Sequence, residues 1–278
     1  MAYRRVLTIQ DISCVGQCSM TVALPILSAC GVETCILPSA VLSTHTGGFQ
    51  GVTFRDLTED IPAIAEHWKR EGIRFDAIYT GYLGSTRQIG YVKEILGEMT
   101  APGGITVVDP AMADHGKLYK GFDSAYVDAM RELCAQADIV IPNITEACML
   151  TGTPYTADFD EARLQEVLQK LEDLGMGCIV LTGVSLKPGH TGVVIWEKGN
   201  LWHYSHEKVA KSYHGTGDIF ASAFVGACAR GRSKEDAAMI AADYTALCIQ
   251  KTFADPAHWY GVKFETALPS LIRRLEPE

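Results

Sequence analysis

Thr106-Val107-Val108-Asp109-Pro110 is a short β-branched run that stops at a carboxylate followed by a proline. Such a run reads as a buried strand, and Pro110 ends it because the ring removes a ladder N–H. The same design recurs along the chain. Residues 5–9, 34–37, 77–79, 139–141 and 178–181 are further short apolar runs, and most end on polar or glycine-containing tips: Gln10-Asp11, Thr80-Gly81-Tyr82, Pro142-Asn143 and Thr182-Gly183. Between them, residues 20–29, 61–70, 88–99, 124–137, 161–174, 219–229 and 234–250 carry apolar side chains at helical spacing. This alternation predicts an α/β chain whose mostly parallel central sheet is covered by helices on both faces. In open sheets of that kind ligands sit beyond the carboxyl ends of the strands, so the polar tips are expected to converge on one cleft. Residues 191–196 and 201–205 read as a hairpin around Lys198-Gly199-Asn200, which predicts an antiparallel edge.

The 278 residues, 47% of them hydrophobic, suffice for one substantial core, and no repeat or low-complexity linker divides them. A single domain spanning residues 1–278 is the expectation. The net charge of −9 and pI near 5.4, with no Lys/Arg cluster larger than a pair, argue against nucleic acid or an anionic membrane as partner. Any phosphate ligand must then be held by local dipoles and a metal. The nine cysteines are an odd number, dispersed, with no Cys-x-x-Cys pair; they read as reduced thiols in a cytoplasmic protein. Cys14 and Cys18 lack other soft ligands nearby, so a metal or redox pair is the weaker reading. The basic Met1-Ala2-Tyr3-Arg4-Arg5 runs into an apolar stretch too short for a signal peptide, and no apolar run approaches a membrane span.

His214-Gly215-Thr216-Gly217-Asp218, followed by the small apolar run 219–227, is the segment richest in chemistry. Two glycines permit a tight turn, and successive N–H groups at a helix start form a pocket for an anion. A carboxylate is misplaced in a pocket that only binds an anion. It makes sense where it takes a proton from a nucleophile while negative charge develops alongside, which is a phosphoryl-transfer arrangement. The plain alternative is a glycine turn with Asp as the N-cap of a helix. Asp109 at its strand tip suits a metal-bound water or a nucleotide phosphate, or a simple turn before proline. Asn143 and Glu146 have capping-box spacing, and Asp109 with Glu146 on adjacent tips would complete a site for Mg²⁺ and phosphates. Ser43-Thr44-His45-Thr46-Gly47-Gly48 and Tyr82 offer hydroxyls, an imidazole and an aromatic face to a small polar ring, or else an ordinary turn and packing. Lys187, in the segment Ser185-Leu186-Lys187-Pro188-Gly189-His190, is long enough to reach a phosphate.

Taken together and in order, these pieces resemble the pyridoxal (pyridoxamine) kinases, in the vitamin-kinase branch of the ribokinase-like superfamily. The matching segments are Ile9-Gln10 with the loop to Gly16, Ser43 to Gly47, Thr80 to Ser85, Val108-Asp109-Pro110 with Gly116-Lys117-Leu118-Tyr119, Ala137-Asp138-Ile139 with Pro142-Asn143 and Glu146, and Gly215 to Asp218. The resemblance implies a ribokinase-like three-layer fold and an ATP- and Mg²⁺-dependent transfer of phosphate to the 5′-hydroxymethyl group of pyridoxal, pyridoxine or pyridoxamine. It implies Asp218 as the base and Gly215, Thr216 and Gly217 as the anion hole. Asp11, Ser13, His45, Thr46 and Tyr82 fall at the ring, and Asp109, Tyr119, Asn143, Glu146, Thr182 and Lys187 around ATP, with Asp109 and Glu146 toward the metal. A homodimer and a monovalent cation such as K⁺ also belong to the family expectation.

Two departures stand out. Asp11 occupies the place where many pyridoxal kinases have Ser, with Ser13 two residues on, and Ile141 stands where some relatives have Thr. The nearest competing reading is a hydroxymethylpyrimidine (phosphate) kinase of thiamine synthesis; those relatives typically carry Cys at the position of Asp218. A reading of another class is a regulatory protein that binds nucleotide or vitamer without turnover.

Overall fold

The computed structural model describes residues 3–156, 159–209, 211 and 213–276; the first two residues of the basic amino terminus lie outside them. The elements in chain order are β1 (Arg5–Ser13), α1 (Met20–Ala29), β2 (Glu33–Leu42), β3 (Phe54–Asp56), α2 (Ile61–Arg70), β4 (Phe75–Thr80), α3 (Thr86–Met99) and β5 (Thr100–Val108). Then follow β6 (Ala113–Asp114), β7 (Lys117–Leu118), α4 (Ser124–Cys134), β8 (Ile139–Val140), α5 (Ile144–Thr151), α6 (Glu161–Asp173) and β9 (Cys178–Val184). The chain closes with β10 (His190–Glu197), β11 (Asn200–Glu207), α7 (Thr216–Ala229), α8 (Lys234–Phe253), a 3₁₀ turn (Phe264–Ala267) and α9 (Leu268–Leu275).

Nine strands form one sheet in the order β11-β10-β9-β8-β5-β4-β1-β2-β3. The six strands from β9 to β2 run parallel, as the alternation predicts. Both edges are antiparallel, not one: the expected β10–β11 hairpin closes one side and β3 closes the other. Side chains along each inner strand alternate between two cores. Val6, Ala77, Tyr79, Val107 and Val180 face α1, α7 and α8, whereas Leu7, Ile78, Val108, Ile179 and Leu181 face α3 to α6. Burial on both faces is what the uninterrupted apolar runs of a parallel sheet require.

Helix starts are set by side chains. Ser85, Asp123, Asn143, Asp160 and Ser233 each accept a backbone N–H at their N-caps. The helix expected over 124–137 ends at Cys134, because Ala135 to Ala137 turn toward β8 through bonds to Arg131, Leu133 and Cys134 carbonyls. Five elements, β3, β6, β7, α5 and α9, and the 3₁₀ turn at Phe264–Ala267 had no strong signal. β3 is three exposed residues, and α5 is only eight residues long. β6 and β7 pair around His115-Gly116, both at positive φ (49° and 75°), the backbone of a tight primed hairpin turn. In β1 the register slips between Gln10 and Ile12 opposite Pro38, which has no N–H to give the ladder. That irregularity lies at Asp11.

Helices α1 and α7 pack closely because Gly226 has no side chain: a Cβ there would stand 2.4 Å from Cys30 Sγ and 2.8 Å from its Cβ. Gly226→Leu is expected to destabilise the fold by about 1–3 kcal/mol through overpacking, read from urea unfolding; an unchanged midpoint would contradict this packing.

Candidate active site

The carboxyl edge of the sheet is where the polar tips meet. Gly215 caps α7 in the left-handed region (φ 80°), where its missing Cβ also makes room for the Gln17 carbonyl, 2.2 Å from where that Cβ would be. The turn leaves the N–H groups of the first turn of α7 without partners inside the helix. Asp218 sits in that turn, partly buried, and one carboxylate oxygen accepts the Ser19 backbone N–H at 2.9 Å. Burial, reinforced by the nearby charge of Asp11, pushes Asp218 up to about 7, against the pull of the Ser19 hydrogen bond. A carboxylate so tuned exchanges a proton near neutrality.

The residues expected at the ring lie on β1 and just past β2 and β4. Asp11 is 4% exposed and accepts the Ser13 hydroxyl at 2.8 Å; burial raises it, offset by hydrogen bonds from Ser19 and Ser13. His45, 5% exposed, accepts the Gly47 N–H on Nδ1 at 3.0 Å, which places its proton on Nε2. That Nε2 is buried without a partner among the described residues. Burial, with help from the neighbouring His214, lowers His45 to about 4, so the ring is a neutral donor. Tyr82 stacks on Phe122 (5.6 Å), which stacks on Tyr126 (3.7 Å), and the Tyr126 hydroxyl donates to the Leu83 carbonyl. Thr46 is exposed beside Gly47.

On the nucleotide side, Asp109 is 8% exposed at the end of β5, and burial with the charges of Glu146 and Asp218 drives it well above the usual carboxylate range. Glu146 completes a capping box with Asn143 at the start of α5, and its other oxygen accepts the Met112 N–H at 3.1 Å. Burial still raises it to about 7. Both Glu146 oxygens thus serve the backbone, while Asp109, among the described residues, accepts only an N–H from Ala111. Among the described residues no group of three or more His, Cys, Asp or Glu gathers as a metal cage. A carboxylate bound only by the Ala111 N–H, beside a second, fully engaged one, fits Mg²⁺, which keeps several waters. Asn143 spends its amide on the Ala113 carbonyl, and Thr182 bonds the Pro142 carbonyl through its N–H at 3.0 Å. Tyr119, 40% exposed, follows β7, and its phenol is raised by burial and by Glu146 and Asp109. Lys187 is exposed between β9 and β10.

The fold therefore gathers Asp11, Asp109, Glu146 and Asp218 into one electrostatic neighbourhood, as their mutual influence on proton affinity shows. Sequence reasoning named the loop to Gly16 but missed the Ser19 N–H that binds Asp218, and it missed the carboxy-terminal aromatics Trp259 and Tyr260, which pack on Phe49 of the loop carrying His45. The positive φ values of Gln17 and Ser19 leave no trace in sequence, and the Trp-Tyr-Gly run 259–261 was the one available signal.

Comparison with known proteins bears on the family and the fold. Residues 24–261 match the family model of phosphomethylpyrimidine kinase. A Bacteroides thetaiotaomicron protein of the phosphomethylpyrimidine kinase type, in a crystal with pyridoxal, superposes with a TM-score of 0.90 at 37% identity, covering 97% of this chain and 96% of its own. Pyridoxal kinase from Lactobacillus plantarum superposes with a TM-score of 0.91 at 32% identity, covering 98% of each chain. The hydroxymethylpyrimidine/phosphomethylpyrimidine kinase of Bacillus subtilis is 27% identical over 218 residues, 77% of each chain. On the match over residues 24–261, the chain belongs to the phosphomethylpyrimidine kinase family, in the vitamin-kinase branch of the ribokinase-like superfamily.

Proposed function

We propose that this protein transfers the γ-phosphate of ATP to the 5′-hydroxymethyl group of a B6 vitamer, giving the 5′-phosphate and ADP. The observation that carries this reading is the carboxylate of Asp218, poised near neutrality at the head of α7 and beside the Gly215 turn. The pyridoxal held by the Bacteroides thetaiotaomicron relative and the pyridoxal kinase of Lactobacillus plantarum support it.

In this reading Asp218 takes the hydroxyl proton as the substrate oxygen bonds to the γ-phosphorus and the bond from that phosphorus to the β-bridging oxygen breaks, with ADP leaving. The N–H groups of Gly215, Thr216 and Gly217 hold the transferred phosphoryl oxygens, and the helix dipole adds to them. Asp11, the neutral Nε2–H of His45 and the Tyr82 face surround the ring, with Ser13 holding Asp11 and Thr46 at the loop edge. Mg²⁺ supplies charge neutralisation for the phosphates; Asp109, with Glu146 behind it, would hold it. Asn143, Thr182, Tyr119 and Lys187 line the nucleotide side. The family match favours a second reading, in which the acceptor is hydroxymethylpyrimidine or its phosphate; the same base and turn serve that hydroxymethyl group.

The decisive assay is Mg·ATP-dependent ADP release with pyridoxal, pyridoxine, pyridoxamine and hydroxymethylpyrimidine in parallel. Turnover on a B6 vitamer is expected, falling about 10²- to 10⁴-fold in Asp218→Asn through loss of the base. Turnover confined to hydroxymethylpyrimidine would assign the second reading, and ligand-dependent thermal stabilisation without ADP would mark a binding protein. Asp11 presents a carboxylate to the ring, so it is expected to favour the amine-bearing pyridoxamine. An Asp11→Ser variant with the vitamer ratios of the wild type would remove that role.

The raised proton affinity of Asp218 also has a consequence for stability. Its folded value of about 7 lies above the ordinary 3.8, so between those limits the native state holds more protons than the unfolded chain and stability falls as pH rises. The amide of the Asp218→Asn variant does not titrate. Melting of the ligand-free protein should therefore show wild type losing ground to that variant from about pH 4 to about pH 7, with the variant the more stable at pH 8. A gap that is constant with pH would refute the buried-carboxylate account.

A further inference from the structure

Residues 14–19 connect β1 to α1 and hold Gly16, Gln17 and Ser19 at φ of 130°, 54° and 54°. Two non-glycine residues in the left-handed region need support from outside the loop. The Gln17 side chain shows where that support comes from. Its amide nitrogen donates to both carboxylate oxygens of Glu265, at 2.9 and 3.0 Å, which leaves its oxygen to accept the Nε2–H of His258 at 2.9 Å. The main chain is clamped as well. The Gln17 carbonyl fills the space of the missing Gly215 Cβ, and on the other side a Cβ on Gly261 would stand 2.6 Å from the Gly16 carbonyl oxygen and 2.9 Å from Gln17 Cβ. The loop is thus wedged between the anion turn and the segment 255–265. Two residues past Gln17, the Ser19 N–H meets Asp218 at 2.9 Å.

We propose that Gln17 and Glu265 are positioning residues for phosphoryl transfer: the carboxy-terminal segment grips Gln17 so that Ser19 N–H fixes one oxygen of Asp218 and leaves the other for the acceptor hydroxyl. The inference rests on the reading of Asp218 as the base. An exposed carboxylate–amide contact contributes little to global stability, so its loss is read in the geometry of the site and not in melting. A misplacement of about 1 Å in a reacting group is enough to cost about 100-fold in rate.

The test compares Gln17→Asn, Glu265→Ala and Glu265→Gln by steady-state kinetics and thermal melting. Asn tolerates the left-handed backbone but is one methylene too short to reach Glu265. Gln at 265 keeps an acceptor oxygen for the Gln17 amide. Gln17→Asn and Glu265→Ala are expected to lower kcat about tenfold, by partial misplacement of the base, with the KM for ATP and the melting midpoint near wild type. Glu265→Gln should retain most of kcat. In the Asp218→Asn background Glu265→Ala should add no further loss, since there is no base left to aim. Wild-type kcat in both disrupting variants, an equal loss in Glu265→Gln, or a loss that comes with a matching drop in melting midpoint would overturn the proposal. Full turnover by Asp218→Asn alone would overturn the reading of the base itself, and is seen separately from the behaviour of Gln17 and Glu265.

Discussion

Asp11, Asp109, Glu146 and Asp218 are drawn out of water at the carboxyl edge of one sheet, and burial is the leading cause of the raised proton affinity of each. Burying unpaired charge is the most expensive thing a core can do, so each carboxylate needs donors arranged around it. Much of the irregular structure near the edge supplies them. Glu146 draws on the backbone of Asn143 and Met112, Asp11 on Ser13, and Asp218 on Ser19. Asp109 has the least, with an N–H from Ala111 alone among the described residues. The remaining deficit at Asp109 is what the proposed Mg²⁺ would meet, in a chain whose net charge of −9 offers a nucleotide no general attraction.

The strand tips that make this edge were legible because each strand is a short apolar run stopped by a polar or helix-breaking residue, as Val107-Val108-Asp109-Pro110 illustrates. Helices with an apolar stripe and a capping side chain were equally plain. Legibility failed where local sequence does not decide the structure. Phe54–Asp56 becomes a strand only because β2 offers an open edge, with all three residues exposed. Asp218 could be read as a candidate base from the glycines before it, but nothing near residue 218 announces Ser19. Likewise Gln17 and Glu265 lie 248 positions apart, each unremarkable by itself. Contacts of that kind depend on the whole topology, so they appear only in three dimensions.

The choice of acceptor turns on the periphery of the site and not on its chemistry. Pyridoxal and hydroxymethylpyrimidine are both flat heteroaromatic rings bearing the hydroxymethyl group to be phosphorylated, so one base and one anion turn serve either. Discrimination must come from groups that meet the ring edge, where an unsatisfied buried donor or acceptor costs about 1–3 kcal/mol. His45 presents such a donor, buried and unpartnered among the described residues, and Asp11 such an acceptor. The aromatic pile of Tyr82, Phe122 and Tyr126 supplies a rigid apolar face without selecting among flat rings.

The parallel strands fix their own tips through the ladder, but Asp218 does not ride on a strand. It stands at the start of α7, and the preceding turn is built on a glycine in the left-handed region, the kind of backbone that is easily displaced. If Asp218 is the base proposed above, its oxygen needs an external reference to hold it in place. The loop 14–19 provides one by bonding Asp218 directly, yet that loop is itself strained and needs holding. The support closes only when the segment after α8 folds back across it, with Gly261 against Gly16 and Glu265 on Gln17. In this arrangement the last elements of the chain complete the geometry begun by the first strand, so that the surroundings of Asp218 draw on both ends of the chain.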